Sequence, residues 1–242
     1  MKIFKQLCRT FVLSAVAVAL SVGLMGCVVP GWDVPDDTPF DVDNRCGVDG
    51  TAGSCRTVVI GGQTWMAENL NYQTADSWCY DDKADNCVKY GRLYTWAAAK
   101  IACNSVGWKL PDTADWDKLV DAAGGYDNAG KALKSKFGWN GRYNIFGRYN
   151  NGNGTDDYGF SALPGGYRYS DAPFSAGCFD HAGRYGNWWT ATEDDHDSAN
   201  YDAAYYLSMG YSGIPQSDCA DCVYERSGDK SYDFSVRCVQ DE

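Results

Sequence analysis

The stretch Gly107-Trp108-Lys109-Leu110-Pro111-Asp112-Thr113-Ala114-Asp115-Trp116 decides how this chain folds. Pro111 sets a turn, and Asp112 or Thr113 supplies the side-chain oxygen that caps a following helix. From Asp112 on, Trp116, Leu119, Val120 and Ala123 recur at helical spacing. That predicts a helix with one buried face, stopped by Gly124-Gly125. Just upstream, Thr95 to Cys103 is Ala-rich with apolar residues at the same period, so a second helix is predicted there, with Thr95 as its candidate cap. A third, short helix is expected over Ala129 to Phe137, ended by Gly138.

Outward from that centre the pattern changes. Thr57-Val58-Val59-Ile60 reads as a strand, Gly61-Gly62 as a hairpin turn, and Gln63 to Leu70 as its extended continuation. Cys79 to Cys87 reads as a Cys-bounded loop, and residues 138–159, rich in Asn, Gly, Asp and Tyr, as a long irregular connection. Strands are predicted in Phe160 to Arg168, Trp188 to Thr192, Ala203 to Met209 and Phe234 to Val239. Two or three helices in the first half, then short antiparallel strands, is the α+β pattern. No internal repeat or second linker interrupts it, so residues 46–242 read as one disulfide-stabilised domain.

The N-terminus is an address. Lys2, Lys5 and Arg9 precede an apolar run from Phe11 to Met25, then Leu24-Met25-Gly26-Cys27. A basic start, a short apolar core and a small residue before Cys form a lipoprotein signal peptide, residues 1–26. Cleavage would leave Cys27 to be acylated, and multiple acyl chains anchor stably. Residues 27–45, with Pro30, Pro35 and Pro39 among five Asp, read as the acylated Cys and a disordered tether. Val28 rather than Asp after Cys27 points to the outer membrane, with the domain facing the surface or the periplasm.

The formal charge is −11, from 21 basic and 32 acidic residues. Removing the basic leader makes it more negative. That excludes a nucleic-acid partner, which wants a basic face, and suits a glycan or surface-protein partner. Contact with the membrane is then expected through the lipid alone.

Of 11 Cys, Cys8 lies in the leader and Cys27 is the anchor, so an odd number remains for an exported, disulfide-linked domain. Short loops suggest Cys46–Cys55 and Cys79–Cys87. Cys103–Cys238 is the long-range choice, worth in principle ~4–5 kcal/mol through the unfolded state. Cys178 is expected to pair with Cys219 or Cys222. A Cys219-x-x-Cys222 redox pair is the alternative, without the aromatic strand-to-helix context of a thioredoxin site. Zinc is disfavoured by the presence of only 2 His.

Several blocks, in order, resemble the Fibrobacter succinogenes major paralogous domain. They are Gln63-Thr64-Trp65-Met66-Ala67-Glu68-Asn69-Leu70-Asn71-Tyr72, Ser77-Trp78-Cys79-Tyr80, Tyr90 to Ala99, Gly107 to Pro111, Tyr158 to Arg168, Trp188 to Glu193, and Ser235 to Val239. The resemblance spans roughly Thr57 to Gln240. It implies a surface lipoprotein or exported module of fibre-degrading and gut bacteria, a family rather than an activity. Cys46, Cys55, Cys178, Cys219 and Cys222 depart from the family pattern. The Trp-rich α+β pattern and the Leu-Pro helix start are also similar to the C-type-lectin-like fold and to the formylglycine-generating enzyme superfamily. The catalytic Cys pattern of that enzyme and the lectins' calcium motifs have no counterpart here, so neither activity carries over.

Two loops hold candidate ligand groups. Tyr143, Tyr149, Asn151, Asn153, Asp156, Asp157 and Tyr158 combine aromatic faces with amide and carboxylate edges, which suits a sugar's apolar face and polar rim. Their alternative is a Gly-rich connection with tyrosines packed on it. Glu193, Asp194, Asp195 and Asp197, with His196 among them, are the candidate metal ligands, and calcium is the ion that oxygen-rich loops take. They lack the Asp-x-Asp-x-Asp-Gly spacing, and a solvated acidic loop is the simpler reading. Neither His181 nor His196 sits in a nucleophile–base motif, and no signature selects a carboxylate pair. The expected function is therefore a non-catalytic binding module for a glycan or a surface protein, without a cofactor. A structural or assembly protein of the envelope, and an accessory enzyme of polysaccharide degradation, are the alternatives.

Overall fold

The structure is a computed structural model that describes residues 46–143, 149–169, 177–195, 202–211 and 219–240. The signal peptide 1–26, Cys27, the tether 27–45, His196 and Asp197 lie outside the described residues. Among the described residues, no helix is long and apolar enough to cross a membrane.

The fold is α+β. It opens with β1 (Thr57–Ile60) and β2 (Gln63–Met66), antiparallel about Gly61-Gly62. Both glycines have positive φ, as a two-residue turn matched to strand twist requires. Then come β3 (Ser77–Trp78), α1 (Ala84–Tyr90), β4 (Leu93–Tyr94), α2 (Trp96–Ser105), α3 (Thr113–Ala122) and α4 (Ala129–Leu133). The second half holds β5 (Arg142–Tyr143), β6 (Tyr149–Asn150), β7 (Tyr167–Tyr169), β8 (Cys178–Asp180), β9 (Tyr185–Asp194), β10 (Ala203–Gly210), β11 (Val223–Asp229) and β12 (Val239–Gln240). Two three-stranded sheets, β1-β2-β12 and β11-β10-β9, are accompanied by the pairs β3-β4, β5-β6 and β7-β8.

The helix starts follow their caps. Thr95 accepts from the Ala98 N–H at the start of α2. Asp112 and Asp115 form a reciprocal capping box at α3. Burial works to raise the Asp115 carboxyl, but hydrogen bonds from Gln63, the Asp112 backbone and Lys109 hold it below the ordinary value. Trp116, Leu119 and Val120 are the buried face of α3, with the Trp116 and Trp65 rings 4.7 Å apart.

Trp188 and Trp189, neighbours on β9, point to opposite faces. Trp188 joins Trp65, Trp116, Leu207 and Met209 in one apolar cluster, and Trp189 joins Tyr94, Ala204 and Phe234 in the other. Truncating a Trp buried this way costs about 3–5 kcal/mol.

A buried polar hub ties the halves together. Arg237 is 0% exposed and lies over the Phe160 ring. Its Nε donates to Asn69 Oδ1 at 2.7 Å, and its other nitrogens to the carbonyls of Met66, Phe160 and Ser161. Asn69 Oδ1 also accepts from Trp188 Nε1, and its Nδ2 donates to the Tyr90 carbonyl. Burial lowers the Arg237 guanidinium to about 9, against the opposing charges of Glu68 and Asp156.

Several expectations are corrected. Residues 84–90 form a helix that starts inside the Cys79–Cys87 span and runs past it, making four α-helices among the described residues rather than two or three. The short helix stops at Leu133, not Phe137, because Lys134 turns extended and bridges Ala162. Phe160 to Gly166 contributes only isolated bridges ahead of β7, and β11 is a strand the sequence reading passed over.

Disulfides join Cys46–Cys55, Cys79–Cys87 and Cys103–Cys238, the last tying the end of α2 to the C-terminal segment. The fourth bridge is Cys219–Cys222, which corrects the expected pairing of Cys178 with one of them. A tight turn, with the Cys222 N–H on the Cys219 carbonyl, brings those two sulfurs together over the Asp127 carbonyl. Cys178 instead sits on β8, opposite Tyr169.

Candidate functional site

Alternation along β10 sends Tyr206, Ser208 and Gly210 to the side opposite Leu207 and Met209. Antiparallel register extends that side across the sheet. Tyr206 lies beside Trp189 and Arg226, Ser208 beside Asn187 and Tyr224, and Gly210 beside Tyr185. The β7-β8 hairpin adds Tyr167 and Tyr169, the turn after β8 adds His181, and the turn after β11 adds Tyr232.

The rings interlock. Tyr167 stacks on His181 at 5.4 Å and 9°, and His181 meets Tyr185 at 5.2 Å. Tyr169 stands edge-on to Tyr167 at 5.0 Å and to Tyr232 at 5.6 Å. Tyr206 lies 4.5 Å from Phe234, which anchors the face to the core. Two glycines seat the rings against the strands. A Cβ at Gly228 would lie 3.0 Å from Tyr206 Cε1, and one at Gly210 would lie 3.3 Å from Tyr185 Cε1.

These tyrosines are half-buried rather than sealed. Burial raises the hydroxyls of Tyr185 and Tyr206, and burial followed by the Tyr169 hydroxyl raises that of Tyr167. All three stay neutral, able both to donate and to accept. The Tyr167 and Tyr169 hydroxyls bond each other at 2.9 Å. Among the described residues, no hydrogen bond occupies those of Tyr185, Tyr206 or Tyr224. His181 holds a left-handed φ of 67°, a conformation that costs about 1–3 kcal/mol in a non-glycine residue. Asp180 Oδ1 accepts from the His181 N–H at 2.8 Å and lies 2.9 Å from Nδ1, in ion-pair range but not aligned as a hydrogen bond there. Flat apolar ring faces with hydroxyls at their edges are what a pyranose packs against.

The Asn-rich loop is used differently. Asn151 Oδ1 accepts from the Asn153 N–H, and Asn153 Oδ1 from the Trp139 N–H. Asp156 holds both the N–H and the hydroxyl of Ser161 at 2.7 Å, and Asp157 holds the Thr155 hydroxyl. The Tyr158 hydroxyl donates to the Ala122 carbonyl. Tyr143 is on β5, opposite Tyr149 on β6, and Tyr149 is 55% exposed. The predicted polar ligands therefore come together as the loop's own framework. Of the acidic run, Glu193 takes an ion pair from Lys230 at 2.8 Å, Asp194 is buried and accepts from the Tyr205 hydroxyl, and Asp195 is exposed. No three His, Cys, Asp or Glu side chains converge as a metal group among the described residues.

The profile of the Fibrobacter succinogenes major domain matches residues 58–240. The chain belongs to that family. No curated protein and no solved structure matches it. Within this family member, the blocks that carry the resemblance are largely buried, and they include the hub residues Asn69, Trp188 and Arg237. Tyr206, Tyr224, Arg226 and Tyr232 of the tyrosine face lie between the blocks. Tyr224 and Arg226 escape the sequence reading because β11 is not predicted as a strand, whereas Tyr206 lies on the predicted Ala203 to Met209 strand, whose register with β11 no local window shows. The available signal was the alternation of Tyr224, Arg226 and Gly228 against Val223, Glu225 and Ser227.

Proposed function

We propose that this chain is an exported, lipid-anchored, non-catalytic module whose tyrosine face binds a glycan. The observation that carries the reading is the half-exposed set of rings across β9, β10 and β11, with the hydroxyls of Tyr185, Tyr206 and Tyr224 occupied by no hydrogen bond among the described residues. The Leu24-Met25-Gly26-Cys27 motif supports the anchor, and Val28 after it supports the outer-membrane placement. The C-type-lectin-like assignment belongs to the same reading. The β2–β12 pairing and the long Cys103–Cys238 bridge, which bring the two ends of the domain together, support it.

The test is retention of the full chain on immobilised plant and bacterial polysaccharides, with Tyr224→Ala as the probe of the face and Cys27→Ala as the probe of the anchor. Saturable retention that falls about three- to tenfold in Tyr224→Ala, the scale of a lost ring contact, is expected. It should be unchanged by calcium or chelator, and membrane association should be lost in Cys27→Ala. A concentration-dependent self-association without retention would favour the assembly role, and shortening of a polymer would favour an enzyme. Retention that Tyr224→Ala leaves intact would remove the face from the reading.

A further inference from the structure

Several basic side chains of this acidic protein are committed. Arg56 pairs with Glu68, Arg168 with Asp233, Lys109 with Asp115, and Lys230 with Glu193 and Asp202. Lys134 and Arg237 are buried on backbone carbonyls. Two arginines differ, one on the tyrosine face and one in the turn at its edge. Arg226 is exposed, lies beside Tyr206 across the strands, and places its guanidinium 5.0 Å over the Tyr224 ring. Arg184 closes the turn that begins at His181 and leads directly into Tyr185. Both lie close enough to the Tyr185 hydroxyl to favour its ionised form, against the burial that dominates there. Among the described residues, neither forms an ion pair or a hydrogen bond through its side chain.

Among the described residues, the nearby acids are engaged elsewhere. Asp180 is turned onto His181. Glu225 alternates to the opposite side of β11, where burial, then Asp117, raise its carboxyl. Counted over the described residues, the face therefore carries local positive charge on a chain of net −11. More distant acids are screened beyond a Debye length of about 8 Å at physiological salt. A guanidinium lying over a ring keeps its N–H edge for a planar anion, and carboxylate is the bidentate match.

We infer that the ligand of this face is an acidic glycan, a polymer whose sugar rings carry carboxylates, as uronic acids do. The rings of Tyr206 and Tyr224 take the apolar sugar faces, and Arg226 and Arg184 take the carboxylates. This rests on the tyrosine face being the glycan site.

The experiment compares retention of the full chain on polygalacturonate, on the same polymer fully methyl-esterified, and on polyglutamate. Esterification removes the charge and keeps the sugar backbone. Retention is expected to be at least about tenfold stronger on the acid form, the scale of one charge-assisted contact. The double variant Arg184→Gln/Arg226→Gln should erase that preference with the thermal midpoint unmoved, since both side chains are solvent-accessible. Equal retention on acid and ester, or a preference that survives the double variant, would overturn the inference. If those results came with loss of retention in Tyr224→Ala, the face would remain a glycan site for neutral polymers. Retention on polyglutamate equal to that on polygalacturonate would make the ligand an acidic polypeptide and overturn the sugar assignment. Absence of retention on every polymer would overturn both this inference and the binding function beneath it.

Discussion

The loop at 149–158 and the tyrosine face hold similar residue types and use them in opposite ways. In the loop, polar side chains point inward to backbone groups that no strand or helix satisfies. Asn153 holds the Trp139 N–H and Asp156 holds Ser161, while Gly154, Thr155 and Asp157 donate backbone N–H groups to Ser135, Lys131 and Ala132. A buried backbone group must find a partner, and a segment without regular structure finds it in its own amides and carboxylates. On the face, β9, β10 and β11 satisfy one another's backbone, so the side chains are released from that task. Composition identifies groups able to bind a sugar, but only the backbone's own hydrogen bonding decides whether they are available.

The largest expected effect tests how tightly the loop is seated. A Cβ at Gly154 would lie 2.2 Å from the Lys134 carbonyl and 2.5 Å from that of Lys131, both backbone atoms that cannot swing away. Gly154→Val should lower stability by more than about 3 kcal/mol, read as a fall in thermal midpoint, with the valine β-carbon forcing the loop off the helix end. Tolerance of that substitution would mean the loop is a loose cover, and the contrast with the face would fail.

Next is a pH effect from beneath the loop. Lys134 is 1% exposed, donates to the carbonyls of Gly210 and Ala220, and lies over the Trp139 ring. Burial lowers its ammonium to about 8. The unfolded chain then binds more protons than the folded chain between about 8 and the ordinary lysine value, so stability should rise with pH across that window. The full rise from this group is about 3 kcal/mol, at 1.36 kcal/mol per pKa unit. Chemical denaturation from pH 7.5 to 10.5 should show the slope in the native chain and its loss in Lys134→Met. An unchanged slope in that variant would assign it to other groups.

The smallest effect separates framework from ligand most directly. Asp156→Ala removes two hydrogen bonds to Ser161 and should cost about 1–3 kcal/mol in urea unfolding. Polysaccharide retention at temperatures where the variant is folded should be unaffected. A retention loss comparable to that of Tyr224→Ala would return the loop to the binding site.

The legible part of the fold was its periodic and punctuated part. Asp112 ahead of Trp116, Leu119 and Val120 defined α3, and Gly61-Gly62 defined the first hairpin, because capping and turn chemistry act within a few residues. Helix α1 was hidden in a Cys-bounded segment too short and too polar to show a period. The Cys219–Cys222 bridge does not emerge from spacing alone, because the turn that closes it depends on packing against Asp127 and Gly130.

By itself, the sequence determined the α+β class, the family, the main helix starts and the concentration of cysteines. These rest on local periodicity, on caps and on motif blocks that fill the core. The tertiary structure alone decided which tyrosines are half-exposed, which arginines lack a carboxylate among the described residues, and which asparagines are consumed by their own loop. Those properties depend on cross-strand register and on contacts between residues such as Asn69 and Arg237, far apart along the chain, which no local window can contain.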